Sequence, residues 1–127
     1  MGQPVVHFEI VGSDPAKLRE YYGALFGWDF QVGDTVSASV SQPGEYGFVE
    51  GSRHGMGSNL NGGVGGGPGH HPKALFYVGV PDVEAALRQA ESLGGTRNMG
   101  PEGKAGTLVV GHFTDPEGNL IGVAGTA

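Results

Sequence analysis

The chain contains two copies of one sequence module. Residues 6–27 align without a gap over residues 74–95, at a constant offset of 68 positions. Phe8 aligns with Phe76 in this comparison, and Asp14 aligns with Asp82. A repeat of this kind means that each copy forms one supersecondary unit. Any fold proposed for this chain must therefore contain that unit twice.

Each copy begins with a strand pattern and continues with a helix pattern. The stretches "VVHFEIV" (residues 5–11) and "ALFYVGV" (residues 74–80) alternate as expected for a strand with one buried face. Asp14 then precedes Pro15, and Asp82 precedes a second apolar stripe, so each Asp is placed to cap a helix. Both copies therefore predict a strand followed by a helix.

Short apolar runs separated by turn residues follow each helix, and we interpret them as strands. They are residues 28–32, 36–40, 46–49 and 60–64 in the first copy, and residues 96–99, 107–114 and 120–124 in the second. The segment "GGGPGHHP" (residues 65–72) separates the copies, because Gly and Pro interrupt both strands and helices. We predict an α+β fold of two βαβββ modules in one domain over residues 1–127, with module one at about 4–65 and module two at about 73–125.

The aromatic residues divide into two groups. Those of the first helix and its exit follow helical spacing, which favours packing in the core: Tyr21, Tyr22, Phe26 and Trp28. Those on predicted strands are better candidates for lining a pocket: Tyr46, Phe48, Tyr77 and Phe113.

Composition excludes several classes of function. The net charge of −6 and only seven Lys and Arg residues argue against a nucleic-acid partner. The absence of cysteine excludes disulfides and thiolate chemistry. The N-terminal segment has neither a charged region nor an apolar stretch of about 18 residues, so we expect a cytoplasmic protein without a membrane span.

Three stretches resemble the vicinal oxygen chelate superfamily, which includes glyoxalase I, bleomycin-resistance proteins, fosfomycin-resistance enzymes and extradiol dioxygenases. They are "YYGALFGW" (residues 21–28), "FYVGVPDVEAAL" (residues 76–87) and "FTDPEGNLIGV" (residues 113–123). The resemblance implies two modules related by a pseudo-twofold axis, whose sheets form open half-barrels around a cavity. It also implies a homodimer.

The resemblance places four metal-ligand positions around the cavity: a His or Gln on the first strand of each module and a Glu on the last. His7 fills the first position, but Leu75, Gly63 and Gly122 fall on the other three. A divalent ion needs three or four donors, and neither Leu nor Gly supplies one. We therefore predict no metal cofactor. The alternative is an Fe, Mn, Ni or Zn site that takes further ligands from elsewhere in the chain or from a partner subunit.

Strand alternation places His7 and Glu9 on the cavity face, opposite Phe8, with Leu75 and Tyr77 at the matching positions of module two. Two glycines, Gly63 and Gly122, are expected to leave open floor where an organic ligand approaches the backbone. The predicted ligand-binding residues are His7, Glu9, Asn61, Gly63, Leu75, Tyr77 and Gly122. His7 and Glu9 are also the candidates for acid–base catalysis.

Four further histidines are candidates for a second metal site: His54, His70, His71 and His112. His70 and His71 are adjacent, so their side chains point apart in an extended chain, and a solvated joint explains them. The alternation pattern leaves the orientation of His112 open, and it stays a pocket candidate.

These observations favour a glyoxalase/bleomycin-resistance-like protein that binds a small, partly apolar molecule without a metal. Three alternatives stay open. One is a metal-dependent lyase, isomerase or dioxygenase, and another is a metal-free enzyme that uses His7 and Glu9. The third is a dimeric interaction module with a vestigial pocket.

Overall fold

A computed structural model describes residues 2–51 and 60–127 of the chain. The elements run in the order β1 (Val5–Gly12), α1 (Pro15–Phe26), β2 (Gln31–Gly33), β3 (Tyr46–Val49), β4 (Asn61–Gly66), β5 (Lys73–Gly79), α2 (Val83–Ser92), β6 (Thr96–Gly103), β7 (Val109–Thr114) and β8 (Leu120–Gly125). The predicted order β-α-β-β-β therefore occurs twice, and the predicted α+β fold class is confirmed.

The described residues form two compact units. The N-terminal unit consists of His7–Ala74, and the C-terminal unit consists of Leu75–Ala127 with the residues before His7. The only helices of the described residues are α1 and α2, and neither is long and apolar enough to span a membrane.

The N-terminal unit has the strand order β2-β3-β4-β1. Strand β4 is parallel to β1 and antiparallel to β3, and this register places Gly63 opposite Glu9 on one side and Phe48 on the other. The side chain of Asp14 accepts a hydrogen bond from the Lys17 amide at 3.2 Å and caps α1, as predicted. The helix ends at Gly27, whose positive φ of 72° is a conformation that glycine adopts readily.

The C-terminal unit repeats this arrangement with the strand order β5-β8-β7-β6. Its register places Gly122 between Tyr77 on β5 and His112 on β7. Asp82 caps α2 by accepting a hydrogen bond from the Ala85 amide at 3.0 Å. The helix packs on the sheet through a core cluster that comprises Val83, Leu87, Val109 and Val123.

The predicted strand at residues 36–40 is wrong. The segment forms a turn, in which the Val40 amide donates to the Ser37 carbonyl at 3.0 Å and the Ser39 amide donates to the Ser37 hydroxyl at 3.0 Å. Val40 is nevertheless buried. The apolar pattern predicts the burial of Val40 correctly. It does not predict the backbone conformation, because the Val40 amide hydrogen-bonds to Ser37 and not to a neighbouring strand.

The expectation that the glycine-rich joint begins at residue 65 is also wrong. Gly65 and Gly66 continue β4 and pair with Val11 and Gly12 of β1. A Cβ atom on Gly66, which has a φ of 123°, would collide with the backbone of Gly12. Glycine here permits the close approach of two strands instead of ending one of them.

The helix α1 buries less of its apolar stripe than its spacing predicts. Tyr21 and Phe26 are exposed to 60% and 56%, although Phe26 contacts the rings of Tyr22 and Trp28. The helix contacts β4, whose sequence "NGGVGG" offers few side chains to pack against. The expected core packing of Tyr21 and Phe26 is therefore wrong, and the helix leaves an apolar surface open.

Candidate functional site

A tyrosine joins the two polar residues predicted on the first strand. The Tyr46 hydroxyl lies 2.8 Å from Nε2 of His7 and donates a hydrogen bond to Oε1 of Glu9 at 3.0 Å. A tyrosine hydroxyl has one proton, so its oxygen accepts from His7, and Nε2 of His7 carries a hydrogen. The prediction that His7 and Glu9 share one face of β1 is confirmed.

Burial controls the protonation of this network. Desolvation lowers the pKa of His7 below its usual 6.5, because the charged imidazolium loses hydration. The pKa of Tyr46 is raised strongly, first by burial and then by the charge of Glu9 and the hydrogen bond to it. At neutral pH the network therefore contains a neutral imidazole and a protonated phenol, next to a Glu9 side chain that is only 3% exposed.

The ring of Tyr46 covers Gly63. A Cβ atom on Gly63 would collide with the hydroxyl oxygen and ring carbons of Tyr46. The open floor expected above this glycine is thus filled by an aromatic side chain, and that expectation is wrong. Covering a strand glycine with a ring from a neighbouring strand restores the packing that glycine itself lacks.

The C-terminal unit contains a second tyrosine–histidine pair. The Tyr77 hydroxyl lies 2.7 Å from Nε2 of His112, and the exposures of the two residues are 2% and 3%. The register places Gly122 between them, and a Cβ atom there would collide with the Tyr77 ring. The orientation of His112 is thereby decided, and the second expected open floor is filled as well.

The two units differ in which strand carries the histidine and which carries the tyrosine of the pair. In the N-terminal unit the first strand carries the histidine, and the third carries the tyrosine. In the C-terminal unit the first strand carries the tyrosine, and the third carries the histidine. In both units the tyrosine ring lies against the glycine of the last strand, Gly63 or Gly122. Gly63 lies opposite Glu9 in the strand register, and Gly122 lies opposite Tyr77, which aligns with Glu9 in the repeat. The register thus confirms Gly63 as the counterpart of Gly122.

These positions do not fit the metal site that the sequence resemblance implies. The Nε2 atom of His7 is hydrogen-bonded to Tyr46, Leu75 is apolar, and tyrosine rings occupy the space where carboxylates would extend from residues 63 and 122. Within residues 2–51 and 60–127, no group of three or more His, Asp and Glu side chains is arranged to hold a metal ion.

The other predicted ligand-binding residues have different surroundings. Asn61 lies beside His7 in the strand register, and its side-chain oxygen accepts a hydrogen bond from the Gly51 amide at 2.8 Å. Leu75 is buried in the C-terminal unit. Ligand contacts by these residues stay predictions.

The sequence patterns assign no specific role to Tyr46, which hydrogen-bonds to both His7 and Glu9. Tyr46 is one of four strand aromatics that the pattern offers for a pocket, and its partner His7 lies 39 positions away. A mid-strand glycine next to an aromatic strand is the signal that could have found it. His70 and His71 lie in the connection before β5, and His54 lies outside the described residues.

The fold resembles solved structures of known proteins. A methylmalonyl-CoA epimerase in complex with methylmalonyl-CoA and NH4+ superposes with a TM-score of 0.65 at 15% identity, over 98% of this chain and 95% of that one. A variant of the Streptomyces coelicolor methylmalonyl-CoA epimerase in complex with 2-nitronate-propionyl-CoA gives 0.64 at 15% identity, over 98% of each chain. The Mycobacterium tuberculosis methylmalonyl-CoA epimerase gives 0.53 at 16% identity, over 97% of this chain and 87% of that one. At these identities the likeness concerns the fold.

Comparison with curated proteins gave no significant match. The sequence profile of one family, in contrast, matches residues 5–123 and so spans nearly the whole chain. The matched range includes both βαβββ modules. The chain belongs to the Glyoxalase/Bleomycin resistance protein/Dioxygenase superfamily.

Proposed function

We propose that this protein binds a small, partly apolar organic molecule without a metal ion. One observation carries the proposal: the Tyr46 hydroxyl lies above Gly63 and hydrogen-bonds to His7, the one residue that matches a metal ligand of the superfamily. A histidine held in this way presents a fixed tautomer in a partly buried environment. Such a group orients an organic ligand by hydrogen bonding.

The surroundings of His7 in the N-terminal unit combine polar and apolar character. Glu9 shares its hydrogen-bonded network, and the ring of Phe48 stacks beside the imidazole. Two of the epimerase structures with the same fold contain organic ligands, methylmalonyl-CoA in one and 2-nitronate-propionyl-CoA in the other. This supports binding of a small molecule on this fold, and the homodimeric, cytoplasmic form expected from the sequence is part of the proposal.

Calorimetry against a panel of hydrophobic compounds and antibiotics, with and without EDTA, tests the proposal. We expect at least one compound to bind equally well in EDTA and to bind more weakly to His7→Gln and Tyr46→Phe variants, because the Tyr46 hydroxyl fixes the His7 ring. His70→Gln serves as the matched control, because His70 lies in the connection between β4 and β5. About one tightly bound Fe, Mn, Ni or Zn per chain in protein purified without chelators would overturn the proposal.

A second candidate is metal-free acid–base catalysis, which the hydrogen-bonded chain from His7 through Tyr46 to Glu9 favours. A carboxylate joined to a neutral imidazole through one hydroxyl is able to accept a proton and to pass a proton along the chain. Carbon acids next to a carbonyl group are suitable substrates, because removal of their proton needs a positioned base.

Methylmalonyl-CoA in D2O provides a direct probe of this second candidate. Deuterium incorporation at the α-carbon in the presence of EDTA, followed by NMR and lost in Glu9→Gln, would support it. Absence of incorporation by the wild-type protein would contradict proton abstraction from this thioester. An interaction module with a vestigial pocket predicts neither ligand binding nor exchange, and sedimentation would then report only the oligomeric state.

A further inference from the structure

An apolar groove lies in the N-terminal unit, next to the part of α1 that the sheet leaves uncovered. Its volume is about 490 Å³, within the range of small-molecule sites. The lining comes from the end of β1, residues 17–22 of α1 and the start of β5. Its apolar part includes Ile10, Leu18, Tyr21, Tyr22 and Ala74. All of these residues belong to the N-terminal unit.

Two lysines line the same groove. The chain has three lysines in a total of seven basic residues, and both Lys17 and Lys73 stand here. Asp14 is the acidic residue of the lining, and its carboxylate accepts the Lys17 amide hydrogen as the cap of α1. In a chain with a net charge of −6, the lining thus has two ammonium groups and one carboxylate, so it has a small excess of positive charge.

The two lysines differ from Arg97 of the C-terminal unit in their ion pairing. Arg97 forms ion pairs with Glu84 at 2.9 Å and Glu91 at 3.3 Å. Within the described part of the chain, neither Lys17 nor Lys73 forms an ion pair with a carboxylate. Both lysines are therefore able to pair with an external anion.

We propose that this groove binds an organic anion with an apolar chain, such as a medium-chain carboxylate. The carboxylate pairs with Lys17 and Lys73, while the chain lies along Leu18 and the exposed ring of Tyr21. Apolar burial and charge complementarity then act on one ligand. The groove contains none of His7, Tyr46 and Glu9, so this proposal is independent of the proposed function.

Calorimetry with octanoate, octanol and acetate separates the two contributions. We expect octanoate to bind the wild-type protein more tightly than octanol does, and acetate to show no measurable binding. In a Lys17→Gln/Lys73→Gln variant, octanoate should bind about fivefold more weakly, as expected for two partly exposed charge pairs, whereas octanol should be unaffected. Lys104→Gln is the matched control and should retain full affinity, because Lys104 does not line the groove.

Amide chemical shifts in the wild-type protein locate the bound octanoate. Perturbation of Gly12, Lys17 and Lys73 with retention of binding by His7→Gln supports the groove. The proposal is overturned if octanoate does not bind, if the double variant binds it as well as the wild type, or if Lys104→Gln weakens binding equally. A failure of the proposed function would instead appear as panel compounds that do not bind at all, or that bind His7→Gln as tightly as the wild type, with octanoate binding intact.

Discussion

The ring of Tyr46 lies against the backbone of Gly63, in the space that any larger side chain at residue 63 would enter. The sheet therefore gains the packing of an aromatic ring at the position where a strand glycine contributes none. The hydroxyl of the same ring reaches His7 and Glu9. The residue type at position 63 and the hydrogen-bonded network are consequently coupled.

Gly63→Ala should destabilise the protein by about 1–3 kcal/mol, because the added methyl group forces the Tyr46 ring out of place. Urea unfolding measures this change. In a Tyr46→Ala background, the same substitution should cost less than about 0.5 kcal/mol, since the colliding ring is gone.

Gly33→Ala is the control for this substitution. Gly33 ends β2, and a Cβ atom there would meet no other atom within 4 Å. Its replacement should change stability by no more than about 0.5 kcal/mol. Equal effects at the two glycines, or an unchanged cost in the Tyr46→Ala background, would contradict the assigned role of the Tyr46 ring.

Tyr46→Phe should destabilise the protein by about 1–3 kcal/mol, because the buried Glu9 carboxylate and His7 each lose a hydrogen-bond partner. Thermal and urea unfolding measure the loss. Tyr21→Phe removes the hydroxyl of an exposed tyrosine and should change stability by no more than about 0.5 kcal/mol. Equal stability of the two variants would show that the network contributes nothing to the fold.

His7 should make the stability of the protein pH-dependent. Its pKa in the folded state lies below the usual 6.5, so between these two values the unfolded chain binds more protons. The contribution of the neutral imidazole is therefore complete above pH 6.5 and is lost as the pH falls through the folded pKa. NMR titration of the His7 ring gives the folded pKa, and unfolding at several pH values gives the stability.

Replacement by a neutral side chain isolates the His7 contribution. In His7→Gln, the difference in stability from the wild type should become independent of pH above 6.5 and should change below it. A His7 resonance that titrates at or above 6.5 would contradict the effect of burial on its pKa.

Asp115 organises the turn between β7 and β8. Its carboxylate accepts hydrogen bonds from the amides of Glu117 and Asn119 and from the Asn119 side chain, each at 2.9 Å. The bond from the Asn119 side chain is the main cause of its lowered pKa. Asp115→Ala should therefore lower the melting temperature, and the difference from the wild type should shrink as the pH falls below about 3.8.

Glu117→Ala is the neighbouring control for the turn. The Glu117 amide donates to Asp115, and this bond does not depend on the Glu117 side chain. Its melting temperature should stay close to that of the wild type. Equal losses in the Asp115→Ala and Glu117→Ala variants would show that the carboxylate of Asp115 does not hold the turn.

The local features of the fold were predictable because their causes lie within a few residues. Asp14 and Asp82 cap the predicted helices through amides three residues later. The placement of His7 and Glu9 on one face follows from the period of two residues in a strand. The strand predicted at residues 36–40 failed, because Ser37 offers a local partner that apolar spacing does not reveal.

The sequence by itself determined the repeated βαβββ order, the helix starts and the presence of glycine at residues 63 and 122, where the family resemblance implies carboxylates. Only the tertiary structure decided which side chains fill the space next to these glycines. Tyr46 and His7 are 39 positions apart, and Tyr77 and His112 are 35 apart. Their contacts depend on the register of strands that are distant along the chain, and no local pattern specifies that register.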